Sequence, residues 1–119
     1  MHFAIVSCVA FITIAVPSFA MDAKGNYTVL GQGNASCGRW IEEHKTPNNA
    51  FAAVQNAWVL GFVTGFNRWD SGDKENIADG TDSDGIIAWI SKDCAENPLN
   101  DVAITASRLI RTLRERGAR

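Results

Sequence analysis

The side chains able to do chemistry in this sequence are few: three cysteines, two histidines and a set of acids crowded into one stretch. Cys37 and Cys94 stand alone, in no Cys-x-x-Cys pair and beside no pair of histidines. In an exported domain two such cysteines read as one disulfide; the lesser reading is a metal site or a reactive thiol. His44 has no partner in sequence and is expected at the surface near a helix end. There is no His-Glu-x-x-His, no Gly-x-Ser-x-Gly and no phosphate-cradling glycine loop. The expectation is a protein that is not an enzyme and that holds no cofactor and no metal, with a small hydrolase or metal-binding protein as the minor alternative. The acids run from Asp70 to Asp84 and imitate a calcium loop. With Gly85 as the loop glycine, Asp84 and Asp82 take the fifth and third positions, but Gly80 and Ser91 take the first and twelfth. Two of the strongest ligands are then missing, so Asp82 or Asp84 reads better as a helix cap.

Residues 1–20 differ from the rest. The run from Phe3 to Ala20 carries no charge. Pro17 breaks it, and Ser18-Phe19-Ala20 offers small residues at a cleavage site. A signal peptide over 1–20 is expected, hence a periplasmic or secreted protein with no stable membrane insertion after cleavage. All 11 Lys+Arg and all 13 Asp+Glu fall beyond it, giving a net charge of −2. That is no nucleic-acid signature. Charge is segregated: six acids against Lys74 from Asp70 to Asp84, and five arginines against Glu115 from Arg108 to Arg119. Solvated faces explain both runs.

The elements around these residues follow from spacing. Residues 21–35 are rich in Gly, Asn and Asp and read as a flexible N-terminal arm. A helical domain over 36–116 follows. Ser36 caps a short helix reaching Lys45, and Asn48 or Asn49 caps a main helix over residues 50–69. At 100° per residue, Phe51, Trp58, Phe62 and Trp69 fall within about 20° of one line, in a helix apolar on most faces, with Trp58 and Phe62 expected in the core. Gly61 and Gly65 sit one turn apart, and another backbone or a flat ring is expected against them. A third helix over 84–95 turns Ile86, Ile90 and Cys94 inward. Asn97-Pro98 stops it, and Asn100 caps a last helix. In that helix Val102, Ala106, Leu109, Ile110 and Leu113 make one apolar stripe, with Arg108, Arg111 and Arg114 facing out. The fold class is all-α: a small bundle of three to four helices stapled by one disulfide.

With no catalytic motif in the sequence, binding is the better class. Trp40, Trp58, Trp69 and Trp89 are more tryptophan than a core of this size needs, and tryptophan is favoured at interface hot spots. Trp69, beside the acidic loop, is the candidate for exposure. The candidate partner-binding residues are Trp69, Asp70, Asp73, Asp79 and Asp82.

Three segments carry a resemblance: Cys37-Gly-Arg-Trp40, the run from Trp58 to Asn67, and the run from Trp89 through Cys94 to Pro98. Over roughly residues 36–113 the chain resembles small bacterial periplasmic proteins around the HdeA/HdeB acid-stress chaperones. It is also similar to the Tai-type immunity proteins. The HdeA-type layout implies a disulfide between two helices. The glycine-spaced aromatic stretch and the Asn-Pro before the last helix look more like the immunity type. Both resemblances imply a small exported helical fold whose partners are other proteins, unfolding clients or a cognate toxin, with a homodimer as a further expectation.

Overall fold

The computed structural model describes residues 22–70 and 76–117. Among them run a 3₁₀ turn, Gly31–Asn34, and four α-helices: α1 (Cys37–His44), α2 (Ala50–Trp69), α3 (Ser83–Glu96) and α4 (Val102–Gly117). No strand forms among these residues; one isolated antiparallel bridge joins Ser36 to Asp101. The chain is an all-α bundle, as the apolar spacing predicts. Among the described residues no helix is long and apolar enough to cross a membrane.

The helix starts follow from side-chain oxygens that take up the otherwise unpaired N–H groups of a first turn. The Ser36 hydroxyl accepts from the N–H of Arg39, the Asn49 side chain from Phe51 and Ala52, and the Asp82 side chain from Gly85. For α4 the cap is Asp101, which accepts from the Ile104 N–H at 2.7 Å. Asn100, the expected cap, instead offers its carbonyl to the N–H of Cys37 at 2.8 Å. With Pro98, whose carbonyl accepts from Gly38, it closes the start of α1 against the turn between α3 and α4.

The core is built where the four helices meet. Cys37 and Cys94, both fully buried, form the disulfide, with an S–S distance of 2.04 Å, tying α1 to α3. Trp40 is also fully buried, and its indole N–H donates to the Ser91 hydroxyl at 2.9 Å, which satisfies the one polar atom a buried tryptophan brings. From α4 come Val102, Ala106, Leu109, Ile110 and Leu113, the predicted stripe, all buried. Ile86 and Ile90 of α3 join them as expected.

The face that α2 buries most fully lies beside the aromatic line, whose Trp58 and Phe62 pack partly buried against the core. Ala52, Gln55, Val59 and Val63 are buried, whereas Phe51 is 58% exposed and Trp69 81% exposed. Trp58 and Phe62 are half-buried and stack on each other. The helix carries two neighbouring apolar stripes, and periodicity alone ranks them by hydrophobicity. Packing ranks them by size: the smaller side chains let α1, α3 and α4 close onto one helix. The expected close approach at Gly61 and Gly65 is not seen among the described residues, none of which lies within 4 Å of a Cβ built on either. Close approach occurs at the arm. The indole N–H of Trp58 donates to the Leu30 carbonyl at 2.7 Å. A Cβ on Gly33 would lie 2.5 Å from Trp58 Cη2, so glycine is what allows the 3₁₀ turn to lie against the ring.

Candidate partner-binding surface

The predicted binding residues fall into separate places. Trp69 ends α2 with its ring under the Arg68 guanidinium, 4.5 Å from the centroid. Such a pair shields one face of the ring and leaves the rest in water. Asp70 follows it, exposed, with its N–H bonded to the Phe66 carbonyl. Asp73 lies outside the described residues. Asp82 is occupied by its capping role on α3. Asp79 is exposed, and its carbonyl accepts from the Arg116 guanidinium.

The loop that carries Asp79 is tied down on both sides. From α2, the Asn67 carboxamide donates to Asn76 at 2.8 Å and accepts from the Ile77 N–H at 3.0 Å. From α4, Arg116 holds Asp79. Ile77 is buried beneath, and Gly80, at φ 67°, supplies the left-handed turn. A groove of about 280 Å³ runs between this loop and α2, lined by Leu60, Asn67, Thr81 and Asp82 among others. It does not include Trp69. Asp82 therefore faces a groove between elements, whereas Trp69 and Asp70 project from the end of a helix.

His44 is half-buried, not a free surface residue. Its ring stacks on Trp40 with centroids 4.1 Å apart. Nδ1 lies 2.8 Å from the Trp40 carbonyl, and Nε2 lies 2.8 Å from the Asn56 carboxamide. Both ring nitrogens are engaged, which makes His44 a bracket between α1 and α2. Among the described residues no three His, Cys, Asp or Glu side chains gather as metal ligands would.

Sequence reasoning overlooked an apolar surface. Tyr27 is 51% exposed, Leu30 76%, Phe51 58%, Val54 53% and Ile104 45%. The half-buried rings of Trp58 and Phe62 join the arm's Tyr27 and Leu30 around one cleft. The signal lay in the same aromatic line, of which Phe51 is exposed while Trp58 and Phe62 pack only partly against the core.

No family model, no curated protein and no solved structure matches this chain. What the surface offers must therefore be argued from its own chemistry. Large exposed apolar side chains beside uncharged backbone suit contact with other apolar polypeptide, and the exposed Trp69–Asp70 corner suits a polar or basic one.

Two buried polar features complete the inventory. Gln55 is fully buried, and among the described residues neither its carboxamide oxygen nor its nitrogen has a hydrogen-bond partner. Asp93 is buried and paired with Arg108 at 3.2 Å, and its second oxygen has no hydrogen-bond partner among the described residues. Arg108, expected to face outward, makes this pair from a side chain that stays 43% exposed.

Proposed function

We propose that this protein is a non-enzymatic, exported, protein-binding protein of the HdeA-like kind, which takes up unfolding clients on acidification. The observation that carries the reading is the exposed apolar surface of α2 and the arm, on a bundle whose α1 and α3 are covalently tied at Cys37 and Cys94. At neutral pH the chain is near −2. Below about pH 3 most carboxylates are protonated, so the lysines and arginines repel one another and the helices loosen. The tie keeps the chain from dispersing while more apolar surface reaches clients. The test is suppression of aggregation of an acid-unfolded protein at pH 2–3, with a neutral control. Undiminished aggregation at equimolar protein would sink the reading.

The second reading is an immunity protein that neutralises a secreted toxin. It is favoured by the Trp69–Asp70 corner, where an exposed tryptophan adjoins an acid. It calls for one tight partner at neutral pH. A stoichiometric complex recovered by the wild type and lost on Trp69→Ala is the expected result, and a neutral pull-down without a stoichiometric partner argues against it.

A further inference from the structure

Residues 26–30 lie outside every helix and turn, and Leu30 is extended, at φ −104° and ψ 143°. The run is fixed at both ends. Before it, the Asn26 N–H donates to the Asp22 carboxylate at 2.8 Å. After it, the Trp58 indole donates to the Leu30 carbonyl at 2.7 Å and the Asn34 carboxamide to the Val29 carbonyl at 2.8 Å. Between these anchors, the N–H groups of residues 27–30 and the carbonyls of Tyr27 and Thr28 make no hydrogen bond among the described residues. Beside them opens a cleft of about 270 Å³ whose lining includes Tyr27, Leu30, Trp58, Phe62 and Ala103. Three stretches of chain build it: Gly25 to Gly38, Ala50 to Asn67 and Val102 to Ser107. None of the three contains an Asp, Glu, Lys, Arg or His.

The chemistry of the cleft selects its occupant by elimination. A charged side chain entering it would leave water with no opposite charge to meet. A lipid chain would cover the apolar rings but leave the open N–H groups without an acceptor. A helix spends its backbone groups internally and has none to offer. An uncharged polypeptide in extended form brings both apolar side chains and free carbonyls, the mode in which a strand adds to an open edge. A second copy of this run does not qualify, since its own Val29 and Leu30 carbonyls are already bonded. We propose that the cleft between the arm and α2 binds an extended, uncharged, apolar segment of another protein. Carbonyls of that segment take the open N–H groups of the arm, and its alternate side chains seat against Trp58 and Phe62. Every part of the site is in place in the folded bundle, so it works at neutral pH and goes beyond the acid-triggered reading.

The probe is an end-blocked peptide alternating Thr and Val, of about six residues, the length of an ordinary strand. It is titrated into the purified protein at neutral pH and followed by NMR. The expected result is a saturable shift of the Trp58 indole N–H and of the amides of residues 27–30, with exchange of those amides slowed at least tenfold. A matched peptide with Lys at the Val positions binds at least tenfold more weakly. Leu30→Lys, at a side chain 76% exposed, puts a charge into the cleft and weakens binding at least tenfold with helicity unchanged. Leu99→Lys, at a side chain 98% exposed and outside the cleft, leaves binding as in the wild type. Absence of binding, equal binding of the two peptides, or indifference to Leu30→Lys overturns the proposal. So does protection of residues 27–30 without peptide, by concentrating the chain or by adding phosphatidylcholine vesicles, which would assign the cleft to a second copy or to a lipid surface. The binding is read at neutral pH, so it stands or falls separately from aggregation suppression at pH 2–3.

Discussion

At the scale of single residues, glycines and one aspartate show how position outweighs type. Gly33 and Gly61 are both followed or preceded by aromatic side chains in space or sequence, but only Gly33 has a ring where its side chain would be. A Cβ there would meet Trp58 at 2.5 Å and Val29 Cγ1 at 2.6 Å. Gly33→Ala is expected to cost about 1–3 kcal/mol through forced displacement of the arm or the ring. Gly61 is helical and open, so Gly61→Ala is expected to gain up to about 1 kcal/mol from helix propensity. Urea unfolding of the two variants reads both signs, and equal effects would remove the argument that the arm packs on Trp58. Asp22 supplies the pH-dependent case. Hydrogen bonds from the Asn26 backbone, the Asn26 side chain and the Lys24 backbone favour its charged form and hold the carboxyl below its ordinary value of 3.8. A depressed folded value means that the contribution is present above the unfolded value and lost as pH falls through the folded one. The turn over residues 22–26 is therefore expected to hold at neutral pH and to open only below 3.8. Asp22 carboxyl shifts and Asn26 amide exchange, followed together by NMR, check that; a midpoint above the ordinary value contradicts the bonds described.

At the scale of elements, the disulfide decides how much the short helix contributes. α1 is only eight residues long, too short to hold itself in water, and it is fixed at one end by Cys37 and along its length by the Trp40–Ser91 bond. Closing a loop between residues 57 positions apart is worth about 4 kcal/mol in lost unfolded-state entropy. Cys37→Ala with Cys94→Ala is expected to lose about that much, read by the denaturation midpoint. A loss under about 1 kcal/mol would show that the core, not the link, holds α1. Much of this level was legible in the sequence. The bounds of α2, the caps at Ser36 and Asn49, the inward Cys94 and the α4 stripe all follow from local patterns. The orientation of α2 was not legible, because its two apolar stripes differ in size, and size matters only once neighbouring helices are in place. The role of the arm was hidden for a related reason: Gly31 and Gly33 look like turn residues until Trp58 is seen against them. Of the candidate site, exposure of Trp69 was legible from its place at a helix end. The exposed cleft at Trp58 and Phe62 was masked by the assumption that aromatic residues go inside.

At the scale of the whole molecule, the charge inventory and the disulfide act in opposite directions as pH falls. The 13 carboxylates of Asp and Glu balance 11 Lys and Arg to a net −2 at neutrality. With the carboxylates protonated, the 11 Lys and Arg alone leave a strongly positive chain. The Asp93–Arg108 pair is among the contacts that a neutral carboxyl no longer makes as an ion pair. Repulsion spreads over the chain, whereas the Cys37–Cys94 link holds α1 against α3, so the expected acid state is expanded but not dispersed. An acid state of this kind retains helix, swells by about 10–20% in radius and binds a dye for apolar surface. Between pH 5 and 2, dye fluorescence should rise while the far-ultraviolet helical signal is kept. The cause can be separated from local titration by salt. At about 1 M ionic strength the screening length falls to roughly 3 Å, so a transition driven by net repulsion moves to lower pH or disappears. One driven by desolvation of individual carboxyls stays where it was. A salt-independent rise would remove self-repulsion as the trigger, and no rise at all would leave the neutral-pH apolar surface as the only one available to a client.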